Sequence, residues 1–408
     1  MSQDRDTESA PPAVDITGVQ VHESDGRRKV TATIGGGAAP KSPIAATQEL
    51  LASLYRGRTA TKTDKPDDKA KAQPTAAPAA TEAKEQGAWW NPFGGSKAEP
   101  KDTGPKPSPA GWATAEYGGA HADRTDEYRK TADAAKAGTN QLPPDAKDYI
   151  YLMVPGLFTE HYPGYMKDNI GRMQKLGLDT RTVTIDTDAS VEDNARIIKE
   201  TIDKIAREEH KQVVLIGHSK GGVDATAALA MYPELYDHVR AVIAMQTPYG
   251  GTPVATDIAG NGRLLGLVGA AIRRLFKGDQ RALTDLTYQA RQEFVHKNPY
   301  DASRVATLSY ATTGGPTVST VGPSASYMKS NYALESDGLV PKKDAVVPGS
   351  DVVYQNDQDH ASPVMGVIGR GKADVPADIT EALITMALKQ AAAMDAAGED
   401  EHAPKKTN

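Results

Sequence analysis

Cysteine is absent from the 408 residues, which excludes disulfides and thiolate metal sites and fits a reducing compartment. Long apolar runs are missing too, and no stretch approaches the ~18–20 uncharged apolar residues of a membrane span. Nor is there a basic surplus. Lys plus Arg number 47 against 53 Asp plus Glu, a net charge of −6, so the overall charge gives no reason to expect nucleic acid or an acidic membrane as partner. The acidic, polar opening from Met1 to Ala10 lacks the basic start and apolar stretch of a secretory signal. Together these absences lead to the expectation of a soluble, cytoplasmic protein.

One absence is local. Residues 61–110 contain no Val, Ile, Leu or Met, but eight Pro, ten Ala and eight Lys. Such a stretch buries too little apolar surface to offset a backbone ordering cost of about 1–2 kcal/mol per residue. Residues 61–145 are therefore expected to be a disordered, low-complexity linker. An aromatic island, Trp89, Trp90 and Phe93 around Asn91-Pro92, interrupts it as a docking peptide, a membrane-surface anchor or a loop packed back on the chain. Ahead of it, residues 1–60 hold two weak elements. Val19 and Val21, then Val30, Ala32 and Ile34, alternate on either side of Asp25-Gly26, which predicts a hairpin with a turn longer than two residues. Ile44, Leu50, Leu51 and Leu54 mark a short amphipathic helix between Ser42 and Arg56.

What is there begins near Tyr149. Four short apolar runs, Tyr149–Val154, Thr182–Ile185, Val213–Ile216 and Val239–Ala244, have the length of strands buried on both faces of a parallel sheet. Helical segments alternate with them. The clearest starts at Ser190, with Asp193 in a capping position and Ile198, Ile202, Ile205 and Ala206 on one face. Alternating strand and helix gives an α/β domain over residues 146–395, closed by a helix starting near Pro376 that carries Ile379, Leu383 and Met386. Residues 396–408 are a polar tail.

The segment from Val213 to Gly222 reads strand, Gly217-His218-Ser219-Lys220-Gly221, then a helix of small residues. A serine on a sharp strand-to-helix turn needs small neighbours two residues either way, so Gly217, His218 and Gly221 frame a nucleophile elbow around Ser219. The hydroxyl then stands at the carboxyl edge of the sheet, where open α/β sheets bind ligands. A serine nucleophile requires a base oriented by an acid. Beyond Val239–Ala244 the chain offers His296, His360 and His402. His360, in a loop after the apolar Val352–Tyr354 run, is the candidate base. Asp337, in the Asp-Gly turn of Ser336–Pro341, is the candidate acid, over Asp301, Asp344, Asp357 and Asp359. Oxyanion donors are expected from the Lys220 N–H at a helix start and from the Leu157 N–H after Pro155-Gly156. The Lys220 side chain is expected to reach solvent, pair with Asp224 or meet an anionic substrate group.

Assembled, these blocks resemble the α/β-hydrolase superfamily, in particular bacterial lipases of the Burkholderia and Pseudomonas type, and are also similar to plant lipase-like hydrolases. Pro155-Gly156-Leu157, the Gly217–Gly222 elbow, Thr247–Pro253, and Asp337–Val340 with Asp359-His360 carry the resemblance. It implies a mostly parallel central sheet with helices on both faces, a helical cap or lid insertion, and a serine hydrolase cleaving carboxylic esters through Ser219, Asp337 and His360. Pro155 replaces the usual His, no carboxylate follows His360 as a calcium ligand, and no disulfide can form, so no metal, no cofactor and no secretion are expected. Between residues 250 and 300, Leu264, Leu265, Leu267, Val268, Ile272, Leu275 and Phe276 alternate with Arg263, Arg273, Arg274 and Lys277. This insertion is either a lid that meets a lipid surface or a fixed cap. The substrate expected is a small-molecule or lipid ester. Thioesters, polyesters and acyl transfer use the same triad, and a scaffold acting through its N-terminal tail is the reading from another class.

Overall fold

In the computed structural model, residues 16–24, 27–34, 105–157, 159, 164–261, 280–314, 321–365 and 375–402 are described. They fall into two units, one within Met1–Pro92 and one within Phe93–Asn408. The first holds an antiparallel pair, β1 (Ile16–Ser24) and β2 (Arg27–Ile34), with Val21 opposite Val30 and Ser24 opposite Arg27. Only residues 25 and 26 join them, a shorter connection than the sequence led us to expect. The predicted helix over Ser42–Arg56 and the island at Trp89, Trp90 and Phe93 lie outside the described residues.

The second unit starts earlier than residue 146. Residues 105–145, expected as part of a linker, carry α1 (Trp112–Tyr117) and α2 (Thr125–Ala137). The Pro/Ala/Lys composition ends near residue 110, and Tyr128, Ala132 and Ala135 then build a buried face. That face is mostly alanine, which periodicity in large apolar residues does not register.

Six parallel strands follow: β3 (Ile150–Val154), β4 (Asp179–Thr182), β5 (Val213–His218), β6 (Val239–Met245), β7 (Ala306–Thr313) and β8 (Asp351–Asn356), in the spatial order β4-β3-β5-β6-β7-β8. The pleat sends alternate residues to opposite faces. Tyr151, Met153, Val214, Ile216, Ile243 and Tyr310 pack with α2, α3 (Lys167–Lys175) and α10 (Pro376–His402). Ile150, Leu152, Val213, Leu215 and Val242 pack with α4 (Val191–Glu209) and α5 (Lys220–Met231). Ser190 caps α4 by accepting the Asp193 N–H at 3.1 Å, as the sequence predicts.

Two strands depart from their apolar signatures. β4 ends at Thr182, before the run expected at Thr182–Ile185, because an edge strand has one neighbour and tolerates Asp-Thr-Arg-Thr. Its Arg181 pairs with Asp179 and Glu209. β7 has no apolar run to announce it, since Thr307, Ser309 and Thr312 are buried with polar partners. The far edge, β8, is covered by residues 121–124, whose backbone bonds Ser350 O and Val352 O and receives the Val352 N–H.

Between β6 and β8 lie α6 (Pro253–Asn261), α7 (Gln280–Thr284), α8 (Tyr288–Lys297) and, after β7, α9 (Gly322–Tyr332). Residues 263–277, the amphipathic stretch expected as lid or cap, lie outside the described residues. No helix among the described residues is long and apolar enough to cross a membrane.

Candidate active site

At the end of β5 the backbone turns sharply. Ser219 has φ 56° and ψ −127°, the left-handed side of the map that a non-glycine residue adopts only where its surroundings impose it. The Ser219 N–H donates to Met245 O at 2.9 Å and its carbonyl accepts the Gly222 N–H at 3.0 Å. The neighbouring glycines have no room for side chains. A Cβ on Gly217 would stand 2.5 Å from Gly222 Cα, and one on Gly221 would overlap Val154 O. A Cβ on Gly222 would overlap Thr247 Oγ1. The glycines thus let α5 start against β3, β6 and the Thr247 loop, and the turn lifts the Ser219 hydroxyl out of the sheet.

Asp337 and His360 come to that hydroxyl from two loops. Asp337 sits in the turn after α9, where Gly338 takes φ 107°. Its Oδ1 accepts the Leu339 and Val340 N–H groups at 2.9 and 2.8 Å, which fixes the carboxylate and leaves Oδ2 for His360 Nδ1 at 2.8 Å. His360 lies four residues past the end of β8. The Asp359 carboxylate ties that loop by accepting the Ala361 and Ser362 N–H groups, and the His360 N–H donates to Asp337 O at 2.9 Å. Because a carboxylate oxygen only accepts, Nδ1 carries the proton. The neutral ring then turns its Nε2 lone pair to Ser219 Oγ, 2.9 Å away. Asp337 is 1% and His360 7% exposed, so water competes little for either bond.

The two expected oxyanion donors, the Leu157 and Lys220 N–H groups, belong to residues next to Gly156 and Ser219 respectively. Gly156 is close enough to the elbow that a Cβ there would stand 3.1 Å from Ser219 Cβ, and Leu157 follows it. The Gly156 N–H is already used by Tyr165 Oη at 3.0 Å. The Leu157 N–H has no acceptor among the described residues. Lys220 is the first residue of α5, where the N–H points out of the helix with no intrahelical carbonyl to meet. Its side chain turns away from the site. The ammonium is buried against both Asp224 oxygens at 2.9 Å, and Asn194 Nδ2 donates to the same carboxylate at 2.9 Å. Of the three fates expected for Lys220, the structure has the pairing with Asp224, and in the interior rather than at the surface.

The remaining candidates are engaged elsewhere. His296 bonds Glu116 at the surface and stacks beside Trp112 and Tyr117. The side chain of His402 lies outside the described residues. Asp301 caps its own turn through Ser303. Asp344 is buried, accepting the Gly111 N–H at 2.7 Å and the Tyr288 O–H at 2.8 Å, and burial pushes its carboxyl up to about 7. Trp112 Nε1 donates to Gly250 O at 2.6 Å, which holds α1 to the loop after β6, and Thr252 Oγ1 donates to Leu339 O at 2.6 Å, which ties that loop to the Asp337 turn. No group of three or more His, Asp or Glu side chains able to hold a metal ion occurs among the described residues.

Behind the elbow lies a polar cluster the sequence did not reveal. His218 Nε2 stands 2.9 Å from His360 O and 3.0 Å from Gln246 Oε1. Both are acceptors, so Nε2 holds the proton and Nδ1 accepts from the Tyr165 hydroxyl at 2.8 Å. Burial and the neighbouring His360 depress His218 to about 3, which keeps the ring neutral. Gln246 continues the cluster, donating to Thr312 Oγ1 and, at 3.0 Å, to Asp359 O. A lone Gln ending the apolar β6 run is a faint signal for it. Nothing in the sequence marks Tyr165.

A family model described as a PGAP1-like alpha/beta domain matches residues 177–307, from just before β4 to the start of β7. Comparison with curated protein sequences finds no significant match. Among solved structures, the metagenomic carboxyl esterase MGS0156 superposes with a TM-score of 0.50 at 23% identity, covering 72% of this chain and 97% of its own. This chain has the α/β-hydrolase fold. The mature form of the Bacillus licheniformis lipase BlEst2 is also similar, with a TM-score of 0.47, 21% identity, and coverage of 54% of this chain and 88% of that one. Within the hydrolase fold, Ser219 occupies the strand-to-helix elbow, Asp337 a loop beyond β7, and His360 the loop after the last strand. The matched stretch 177–307 includes the elbow but neither Asp337 nor His360.

Proposed function

We propose that this protein is a serine hydrolase of carboxylic esters, of the lipase or esterase kind. The observation that carries the reading is the unbroken line Asp337 Oδ2, His360, Ser219 Oγ, with contacts of 2.8 and 2.9 Å. The Leu157 and Lys220 N–H groups, one following Gly156 and one following Ser219, have no acceptor among the described residues. Ester hydrolysis needs each of these parts and little else. The carboxyl esterase of the same fold supplies the substrate class we assign.

In this mechanism Ser219 Oγ attacks the ester carbonyl while His360 Nε2 takes its proton. The carbonyl π pair moves onto oxygen, and the Leu157 and Lys220 N–H groups hold the oxyanion. Collapse expels the alcohol, which receives the proton from His360 and leaves an acyl-Ser219. Water, deprotonated by the same Nε2, then attacks the acyl carbon. Its tetrahedral adduct releases the carboxylic acid and returns the proton to Ser219. Asp337 stays ionised throughout, holding the imidazole in its Nδ1–H tautomer and balancing the imidazolium charge.

The test is turnover of chromogenic esters from short to long acyl chains, with Ser219→Ala as the blank. Serine-dependent hydrolysis of any member supports the reading, and the chain length at the maximum separates a lipase from an esterase. Equal rates for wild type and Ser219→Ala across the series contradict it.

A further inference from the structure

The chain of hydrogen bonds behind the elbow connects two places that the proposed chemistry needs fixed. It starts at the Gly156 N–H, which donates to Tyr165 Oη at 3.0 Å. The hydroxyl proton goes to His218 Nδ1 at 2.8 Å. From the opposite side of the same ring, Nε2–H reaches His360 O at 2.9 Å. The bonds run in one consistent direction, with the Nε2–H shared between His360 O and Gln246 Oε1, and with Oη accepting from Gly156 the tyrosine proton goes to His218 Nδ1. At one end lies the residue before Leu157, and at the other the backbone of the candidate base.

We propose that Tyr165 is a positioning residue of the Ser219 site. Its hydroxyl, held between the Gly156 N–H and His218 Nδ1, fixes the backbone that presents the Leu157 N–H. Through His218 it also braces the loop that carries His360. This inference rests on the ester-hydrolase reading above and adds to it a residue that touches neither substrate nor reacting atoms.

Three observations favour a positioning role over simple packing. The Gly156 N–H is directed to Tyr165 rather than to the Ser219 hydroxyl, while the adjacent Leu157 N–H has no acceptor among the described residues. Tyr165 lies nine positions beyond Gly156, and its ring packs edge-on to His218 with centroids 5.7 Å apart, so the contact is built twice over. Finally, His218 stands on the elbow beside Ser219, so the same ring gauges the oxyanion loop, the nucleophile and the base against one another. Errors of about 1 Å in such an arrangement are costly to rate.

The experiment is Tyr165→Phe, which keeps the ring and removes only the hydroxyl, assayed on the best chromogenic ester well below the unfolding midpoint. The expected result is a fall in kcat of about tenfold with KM within about twofold. That is smaller than the ~100-fold or greater loss from deleting an oxyanion donor outright. A purely structural role would lower the urea midpoint and leave kcat of the folded enzyme unchanged. His218→Asn is the second variant, keeping an acceptor near Nδ1 and losing the Nε2 donor. Because both variants interrupt one chain, the double variant is expected to cost much less than the product of the singles. Wild-type kcat in Tyr165→Phe, or strictly multiplicative losses, would overturn the inference alone. A wild-type protein inactive on every ester would overturn the hydrolase reading and this inference with it.

Discussion

Replacing Asp344 by Asn should change how stability depends on pH, and the size of the change follows from the geometry. The carboxyl is 1% exposed and braces two segments at once, Gly111 before α1 and Tyr288 at the start of α8, while the Asp344 main-chain carbonyl accepts the Gly250 N–H. Burial raises it from 3.8 to about 7. Between those values the folded protein keeps a proton that the unfolded chain has released. Its stabilising contribution is full below pH 3.8 and is lost as pH rises through 7. At 1.36 kcal/mol per pKa unit the loss approaches about 4 kcal/mol. His218 acts in the opposite sense, because burial lowers it from 6.5 to about 3 and stability therefore rises with pH between those values. In the wild type the two slopes oppose each other from about pH 4 to 6.5. The amide of Asp344→Asn still accepts the Gly111 N–H and can donate to Tyr288 Oη, so the substitution removes one slope and keeps the contacts. Urea midpoints at matched ionic strength from about pH 4 to 8 should show the variant gaining steadily on the wild type as pH rises. Parallel curves for the two proteins would refute the argument.

Two further predictions concern the elbow. Asp224→Ala leaves the Lys220 ammonium buried and unpaired, and should cost about 3–5 kcal/mol, read as a lower urea midpoint. Lys220→Met with Asp224→Asn removes both charges, keeps an acceptor for Asn194, and should recover most of that loss; equal instability of the single and double variants would contradict the assignment. Gly222→Ala drives a methyl into Thr247 Oγ1 and should cost about 1–3 kcal/mol together with most ester turnover. Adding Thr247→Ala opens the space and should restore both, and a lack of rescue would mean that the fit at this glycine is not what limits the site.

Much of this arrangement is written locally in the chain. Runs such as Val213–Ile216 are long enough to be central strands and too short for helices, and Ser190 with Asp193 marks a helix start that the structure keeps. The elbow is legible because its glycines stand at fixed offsets from Ser219. The meeting of Ser219, Asp337 and His360 is different. The residue types and their order narrow the choice, but the distances depend on β7 and β8 lying in sequence beyond β6 in the sheet, which no local pattern encodes. β7 itself is hidden because its Thr and Ser side chains are satisfied by Tyr300 and Ser350 from outside the strand. The folded character of residues 111–145 is hidden for a related reason: an alanine face gains its value from α10 and the sheet, which are distant in sequence. Tyr165 and Gln246 are polar side chains whose side-chain partners, His218 and Thr312 among them, are distant in sequence, so their place in the site exists only in three dimensions.

The claim at the centre of this account is that His360 and Asp337 make Ser219 a nucleophile. Intact-mass measurement after exposure to a fluorophosphonate, followed by peptide mapping, tests it without any assumption about the natural ester. One adduct should form, on Ser219, and His360→Ala should slow its formation by about 10³-fold or more while remaining folded. An unlabelled protein, an adduct on another serine, or undiminished labelling of His360→Ala would contradict it.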